Sequence, residues 1–114
     1  MSRVSAIVVN WNTRDLLARC LASLCASAGK VDLRLMVVDN GSNDGSQEMV
    51  RSAFPEATLL ANRHNIGFAA ANNQAIRRAV GEFFLLINPD AEAVGNAVSE
   101  LVRYAHSHPS VGIV

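Results

Sequence analysis

The stretch Glu82-Phe83-Phe84-Leu85-Leu86-Ile87-Asn88-Pro89-Asp90-Ala91-Glu92 decides how the chain is read. Phe83 to Ile87 is an apolar run too short for an ordinary helix, and it suits a central strand buried on both faces. Pro89 has no N–H to give to a ladder and drives Asn88 into an extended conformation, so the strand stops there. Asp90 therefore stands just past the carboxyl end of a buried strand, the edge at which open α/β sheets bind ligands.

Working outward, the same pattern recurs three times. Val4 to Val9 is a β-branched run that leaves into Asn10-Trp11-Asn12. Leu33 to Val38 leaves into Asp39-Asn40-Gly41-Ser42-Asn43-Asp44-Gly45, dense in turn and cap residues. A weaker strand, Thr58 to Ala61, leaves into Asn62-Arg63-His64-Asn65-Ile66-Gly67. Helical patterns lie between the strands. Thr13 is placed to cap a helix running to about Ser27, whose Leu17, Cys20, Leu21 and Leu24 form one apolar face and which Gly29 ends. A short helix spans Ser46 to Ala53. Phe68 to Val80 is helix-permissive, with Arg77 and Arg78 at its C-terminal end and Gly81 as the residue beyond it. Asn96 is placed to cap a last helix to about His106, and Val111 to Val114 reads as the opening of one more strand. Strands alternating with helices predict an α/β fold, a three-layer, mostly parallel open sheet with right-handed crossovers. Residues 1–114 then form a single segment of a longer domain, truncated before its last strands, with an open sheet edge that invites pairing with a second copy.

Composition narrows the classes. Half of the 114 residues are apolar and 18% are charged, which suits a packed domain. Ten basic residues balance ten acidic ones, so no overall field draws the chain to nucleic acid or an anionic surface. Cys20 and Cys25 lack metal or redox spacing and read as reduced thiols. Ser2 and Arg3 lead straight into the first strand rather than a secretory leader, and a cytoplasmic place is expected, membrane-peripheral in the longer protein.

In a parallel sheet all carboxyl ends share one edge. That edge collects Asn10, Trp11 and Asn12, then Asp39, Asn40 and Ser42, then Asn62, Arg63 and Asn65, then Asn88 and Asp90. A carboxylate among amides suits a base and ribose hydroxyls, and Arg63 could reach a phosphate. Asp90 with Asn88 is a hard-oxygen set that suits Mg²⁺ or Mn²⁺ on a diphosphate. Asp44 reads as a helix cap, His64, His106 and His108 as surface residues, and Trp11 as a packing residue more than a stacking platform.

Four ordered motifs now resemble a known family. They are Ile-Val-Val-Asn-Trp-Asn (7–12), Val-Val-Asp-Asn-Gly-Ser-Asn-Asp-Gly (37–45), Asn-Ile-Gly-Phe-Ala (65–69) with Asn73, and Leu-Ile-Asn-Pro-Asp (86–90). Together they look like the family 2 glycosyltransferases, rhamnosyltransferase-like branch, over nearly the whole chain. The resemblance implies a GT-A fold and inverting transfer from a nucleotide-diphosphate-sugar (a dTDP- or UDP-sugar, dTDP-rhamnose among them) to a glycan or lipid-linked acceptor in cell wall or polysaccharide biosynthesis. It implies that Asp39 contacts the base, that Asn10, Trp11 and Asn12 border the nucleotide, and that Asn65 and Gly67 line the donor pocket. Asn88 and Asp90 would be the Asp-x-Asp motif, with Asp90 the ligand of Mg²⁺ or Mn²⁺. Because Asn88 replaces the first acid, the motif carries one negative charge instead of two; Ala75 stands where glycine is common. The family's catalytic base lies beyond this motif, so no catalytic residue is expected in 1–114.

Two other classes compete. A response-regulator-like phosphoacceptor domain also gathers acids and Mg²⁺ at strand ends, but it wants an acidic pair where Asn10-Trp11-Asn12 is found. A non-catalytic nucleotide-binding module would share the pocket without the transfer. A dinucleotide-binding domain lacks its G-x-G-x-x-G after the first strand.

Overall fold

A computed structural model describes residues 2–112. The β-branched run at the start forms β1 (Arg3–Asn10), followed by α1 (Arg14–Ser27), β2 (Asp32–Asn40), α2 (Ser46–Ala53), β3 (Thr58–Asn62), α3 (Phe68–Arg78), β4 (Phe83–Leu86) and α4 (Ala97–Ser107). The four strands are parallel and lie in the order β3-β2-β1-β4. Their register sets Asn10 beside Asp39 and Asn40 beside Asn62, so the polar strand exits are level with one another.

Two apolar layers sandwich the sheet. On one face Ala6, Val8 and Val37 meet Leu17 and Leu21 of α1, Val50 of α2 and Val98 of α4, all fully or almost fully buried. On the other, Ile7, Met36, Val38 and Leu60 meet Ala71 and Ala75 of α3. Alanine is what lets α3 lie close to the sheet: the small side chains admit the β-branched and long residues below. The expected three-layer parallel sheet is therefore present.

Several local expectations change. β4 is an edge strand among the described residues, not a central one, and its better-covered face, Phe83 and Leu85, is only half-buried. Phe84 and Leu86 are 46% and 50% exposed. Leu86 pairs with Ile7 and so shares α3's side of the sheet, but α3 packs mainly over β1 and β2. A groove of about 400 Å³ runs between β4 and α4, lined by Phe83, Leu85, Leu101 and Ala105 among others. α3 ends at Arg78, two residues short of Val80, because Ala79 turns to an extended conformation. Gly81 is not its left-handed cap. A Cβ there would lie 3.1 Å from the Arg3 carbonyl oxygen, so glycine serves a close approach to the start of β1. Gly29, by contrast, has φ +59°, as expected of a residue closing α1. Val111 and Gly112 are irregular, and the rest of the expected strand at Val111 to Val114 lies outside the described residues. No helix among the described residues is long and apolar enough to cross a membrane.

Candidate functional site at the carboxyl edge

β1 and β2 end in three buried polar residues, Asn10, Asp39 and Asn40, which are 0%, 1% and 3% exposed. A buried carboxylate is tolerated only when its oxygens are satisfied. Asp39 Oδ1 accepts from Asn10 Nδ2 at 3.0 Å and from Ser42 Oγ at 2.6 Å. Its Oδ2 accepts from the Ser42 amide at 2.9 Å and from Gln47 Nε2 at 2.8 Å. Burial by itself pushes the Asp39 carboxyl up, but these bonds from Ser42, Gln47 and Asn10 outweigh it and hold the group below the usual carboxylate range. Every acceptor position of the charge is thus engaged inside the protein.

The first two loops are tied together through the same residues. Asn10 Oδ1 accepts from Thr13 Oγ1 at 2.6 Å. Ser42 Oγ accepts from the Asn12 amide at 2.8 Å, and Asn12 Oδ1 accepts from the Asn43 amide at 2.8 Å. Asn12 needs a left-handed backbone (φ +53°) to make both contacts, a conformation asparagine tolerates. Thr13 does precede α1 but does not cap it, since its hydroxyl is given to Asn10. The cap is Asp44, as a residue of that type should be, and it serves two helices. Its Oδ2 accepts from the Arg14 amide at 2.9 Å and its Oδ1 from the Ser46 amide at 3.0 Å, the first residues of α1 and α2. Burial opposes ionisation of Asp44, but the Ser46 hydroxyl and the Arg14 and Ser46 amides hold its carboxyl low.

Depressed carboxyls at Asp39 and Asp44 fix the sign of one pH effect. Each contributes stability that is fully present above the unfolded value of about 3.9. That contribution is lost as pH falls through the lower folded value. Urea midpoints are therefore expected to fall steeply below about pH 4 as these two carboxylates take up protons. A midpoint unchanged between pH 5 and pH 3 contradicts the network.

Farther along the edge, Asn62 Nδ2 donates to Asn40 Oδ1 at 3.1 Å, and Asn62 and Gln74 exchange two amide bonds at 3.0 and 2.9 Å. Asn65 Oδ1 accepts from the Gly67 amide, whose residue has φ +91° and opens α3. The Gly67 carbonyl accepts from Asn40 Nδ2 at 3.4 Å. Arg63, His64 and Asn65 are exposed, and Arg63 has no carboxylate partner among the described residues. Trp11 is 55% exposed, which corrects its reading as a packing residue. The ring leaves β1 at the rim instead of entering either core layer.

Asn88 and Asp90 are exposed beyond β4 and bond to none of these groups. Their loop is held instead by α1: Cys20 Sγ donates to the Asn88 carbonyl at 3.6 Å, and the Ala93 amide donates to Ser23 Oγ at 2.9 Å. Burial pushes the Cys20 thiol up to about 11, with the charges of Glu92 and Asp90 adding to it, so sulfur stays a protonated donor. Both cysteines are free, Cys20 buried and Cys25 exposed. Among the described residues no three His, Cys, Asp or Glu side chains cluster to hold a metal ion. The Asp90 carboxylate nevertheless has no side-chain partner there, and Asn88 supplies an amide oxygen two residues before it. That donor set fits Mg²⁺ or Mn²⁺ when a ligand's phosphate oxygens and water complete the coordination.

Sequence reasoning missed Gln47, Gln74, Cys20 and Ser23 as supports of this edge. Each acts on a residue brought near by the fold, and local pattern carries no sign of it.

The fold is an open parallel α/β domain of the GT-A type, with its polar residues gathered at the carboxyl edge of the sheet. Residues 5–114 match the sequence model of the family described as Glycosyl transferase family 2, and the chain belongs to that family. An uncharacterized glycosyltransferase, YfnE, of Bacillus subtilis is 30% identical over 108 residues, 93% of this chain and 27% of that protein. An N-acetylglucosaminyl-diphospho-decaprenol L-rhamnosyltransferase of Mycobacterium tuberculosis is 25% identical over 117 residues, 93% of this chain and 38% of that protein. The mannosyltransferase PcManGT from Pyrobaculum calidifontis, solved in complex with GDP-Man and Mn²⁺, superposes with a TM-score of 0.86 at 28% identity. The superposition covers 97% of this chain and 34% of PcManGT, so the chain spans about a third of the length of such relatives.

Proposed function

We propose that residues 1–114 are the nucleotide-diphosphate-sugar-binding segment of an inverting glycosyltransferase that acts with Mg²⁺ or Mn²⁺. The observation that carries the reading is the level row of polar strand exits, ending in an Asp90 carboxylate with no internal partner among the described residues. In this reading the exposed Trp11 and Asn12 border the nucleotide, Asn65 and Gly67 line the donor pocket, and Asn88 and Asp90 hold the metal against the diphosphate. Asp39 then supports the pocket from below and touches the base only if one of its four donors yields.

When bound, the metal would supply charge neutralisation for the departing nucleoside diphosphate. The chain's own part is to orient the donor and keep its anionic end at the strand edge. Inversion needs a carboxylate that takes the proton of the acceptor hydroxyl. We assign that base, and the glycan or lipid-linked acceptor, to parts of the enzyme beyond this segment. Donors carrying dTDP or UDP fit the family resemblance, while the GDP-Man of PcManGT makes a guanine nucleotide the comparison to run.

Calorimetric titration with UDP, dTDP and GDP, with and without Mn²⁺, tests the reading. Binding that depends on the metal is expected, and Asp90→Asn should weaken it about tenfold or more, the least that even an outer-shell change at a metal site costs. Nucleotide binding indifferent to Mn²⁺ and to Asp90 removes the metal from the proposal. Failure to bind any nucleotide leaves a non-catalytic module.

A further inference from the structure

The segment from Asn88 to Ala93 carries Asp90 but owes its shape to another element. The Ala91 amide donates to the Asn88 carbonyl at 3.0 Å, closing a turn with Pro89 and Asp90 at its two central positions. The same carbonyl accepts from Cys20 Sγ, fully buried on α1. At the far end, the Ala93 amide donates to Ser23 Oγ at 2.9 Å, and Ser23 donates its own proton to the Cys20 carbonyl at 2.7 Å. Cys20 and Ser23 lie three residues apart, so one face of α1 presents both contacts. Ile87 and Ala93 pack against the apolar cluster that α1 shares with the sheet. The loop is pinned at both ends, and Asp90 projects from between the pins.

We infer that Cys20 and Ser23 are positioning residues that hold the Asp90 loop ready for a divalent cation. The inference rests on the reading of Asp90 as the metal ligand. Its physical basis is the single formal charge of the Asn88–Asp90 pair. With one carboxylate the attraction for a dication is reduced, and a loop that had to be ordered on binding would reduce it further. A loop already fixed by α1 leaves that ordering cost out of the binding step.

The test is Mn²⁺ titration followed by electron paramagnetic resonance in the presence of UDP, together with amide hydrogen exchange at Ala93. Ser23→Ala removes the acceptor while leaving the apolar contacts of α1 in place. It is expected to weaken Mn²⁺ binding about tenfold, as loss of an outer-shell support typically does. The Ala93 amide should exchange faster while the melting temperature changes little. Ser23→Thr keeps a hydroxyl and should return the affinity to within about threefold of wild type. The inference is overturned if folded Ser23→Ala binds Mn²⁺ as tightly as wild type, or if Ser23→Thr fails to restore binding. If the wild-type chain takes up no Mn²⁺ with nucleotide, the reading of Asp90 fails and this inference falls with it.

Discussion

Asp39→Ala is expected to lower the stability of the fold by about 3–5 kcal/mol, because it removes the one buried charge on which four neutral donors converge and leaves those donors short of an acceptor. The replacement leaves Asn10 Nδ2, the Ser42 hydroxyl and amide, and Gln47 Nε2 without their shared acceptor. Asn10 cannot turn to water, because it is fully buried and its other amide atom is committed to Thr13. Each stranded donor costs about 1–3 kcal/mol, and partial repair by water at the half-buried Ser42 and Gln47 limits the sum. The urea midpoint should fall by more than about 1 M at the slopes usual for small domains. Gln47→Ala removes one of the four donors and serves as the mild control. A midpoint for Asp39→Ala close to that of wild type would show that the carboxylate is dispensable to the fold and available to ligand.

Gly41→Ala is the second large effect, expected at about 2–5 kcal/mol. Gly41 has φ +80°, and an alanine there bears about 1–2 kcal/mol of left-handed strain. Its Cβ would also lie 2.8 Å from His64 Cα and 2.9 Å from the Arg63 carbonyl oxygen. Those are backbone atoms of the β3–α3 loop, which must move, and overpacking of that kind costs about 1–3 kcal/mol. Gly45→Ala isolates the two contributions. Gly45 has φ +86°, but a Cβ there meets only the Arg14 side chain at 3.4 Å, which can swing away. Gly45→Ala should therefore show the strain without the collision. Equal melting temperatures for the two variants would mean that the Gly41 contact with His64 carries no energy. On the proposed reading, in which this loop borders the donor pocket, Gly41→Ala should also weaken nucleotide binding more than its loss of stability explains.

What the amino-acid sequence determined by itself was the alternation of elements and the chemistry of their ends. β-branched and apolar runs of strand length, separated by helical patterns, leave a parallel sheet as the consistent arrangement. Parallel strands then bring Asn10, Asp39, Asn62 and Asn88 to one edge without any knowledge of strand order. Asp44 was legible for the same reason: an aspartate before a helix acts through amides close to it in sequence. Thr13 misled because a rival acceptor, Asn10 Oδ1, lies within reach of its hydroxyl and the alternative cap arrives from thirty residues away.

Tertiary structure alone decided which of these residues are supports and which face solvent. Periodicity cannot distinguish a central strand from an edge strand when strand order departs from chain order, and among the described residues β4 lies outside β1 with one face exposed. Nor can it foresee that Gln47 closes the last position on Asp39, that Trp11 stands at the rim, or that α1 fixes the Asp90 loop through Cys20 and Ser23. The physical reason is common to all three. Local sequence governs backbone conformation over a few residues, whereas these contacts depend on register and packing between elements separated by loops.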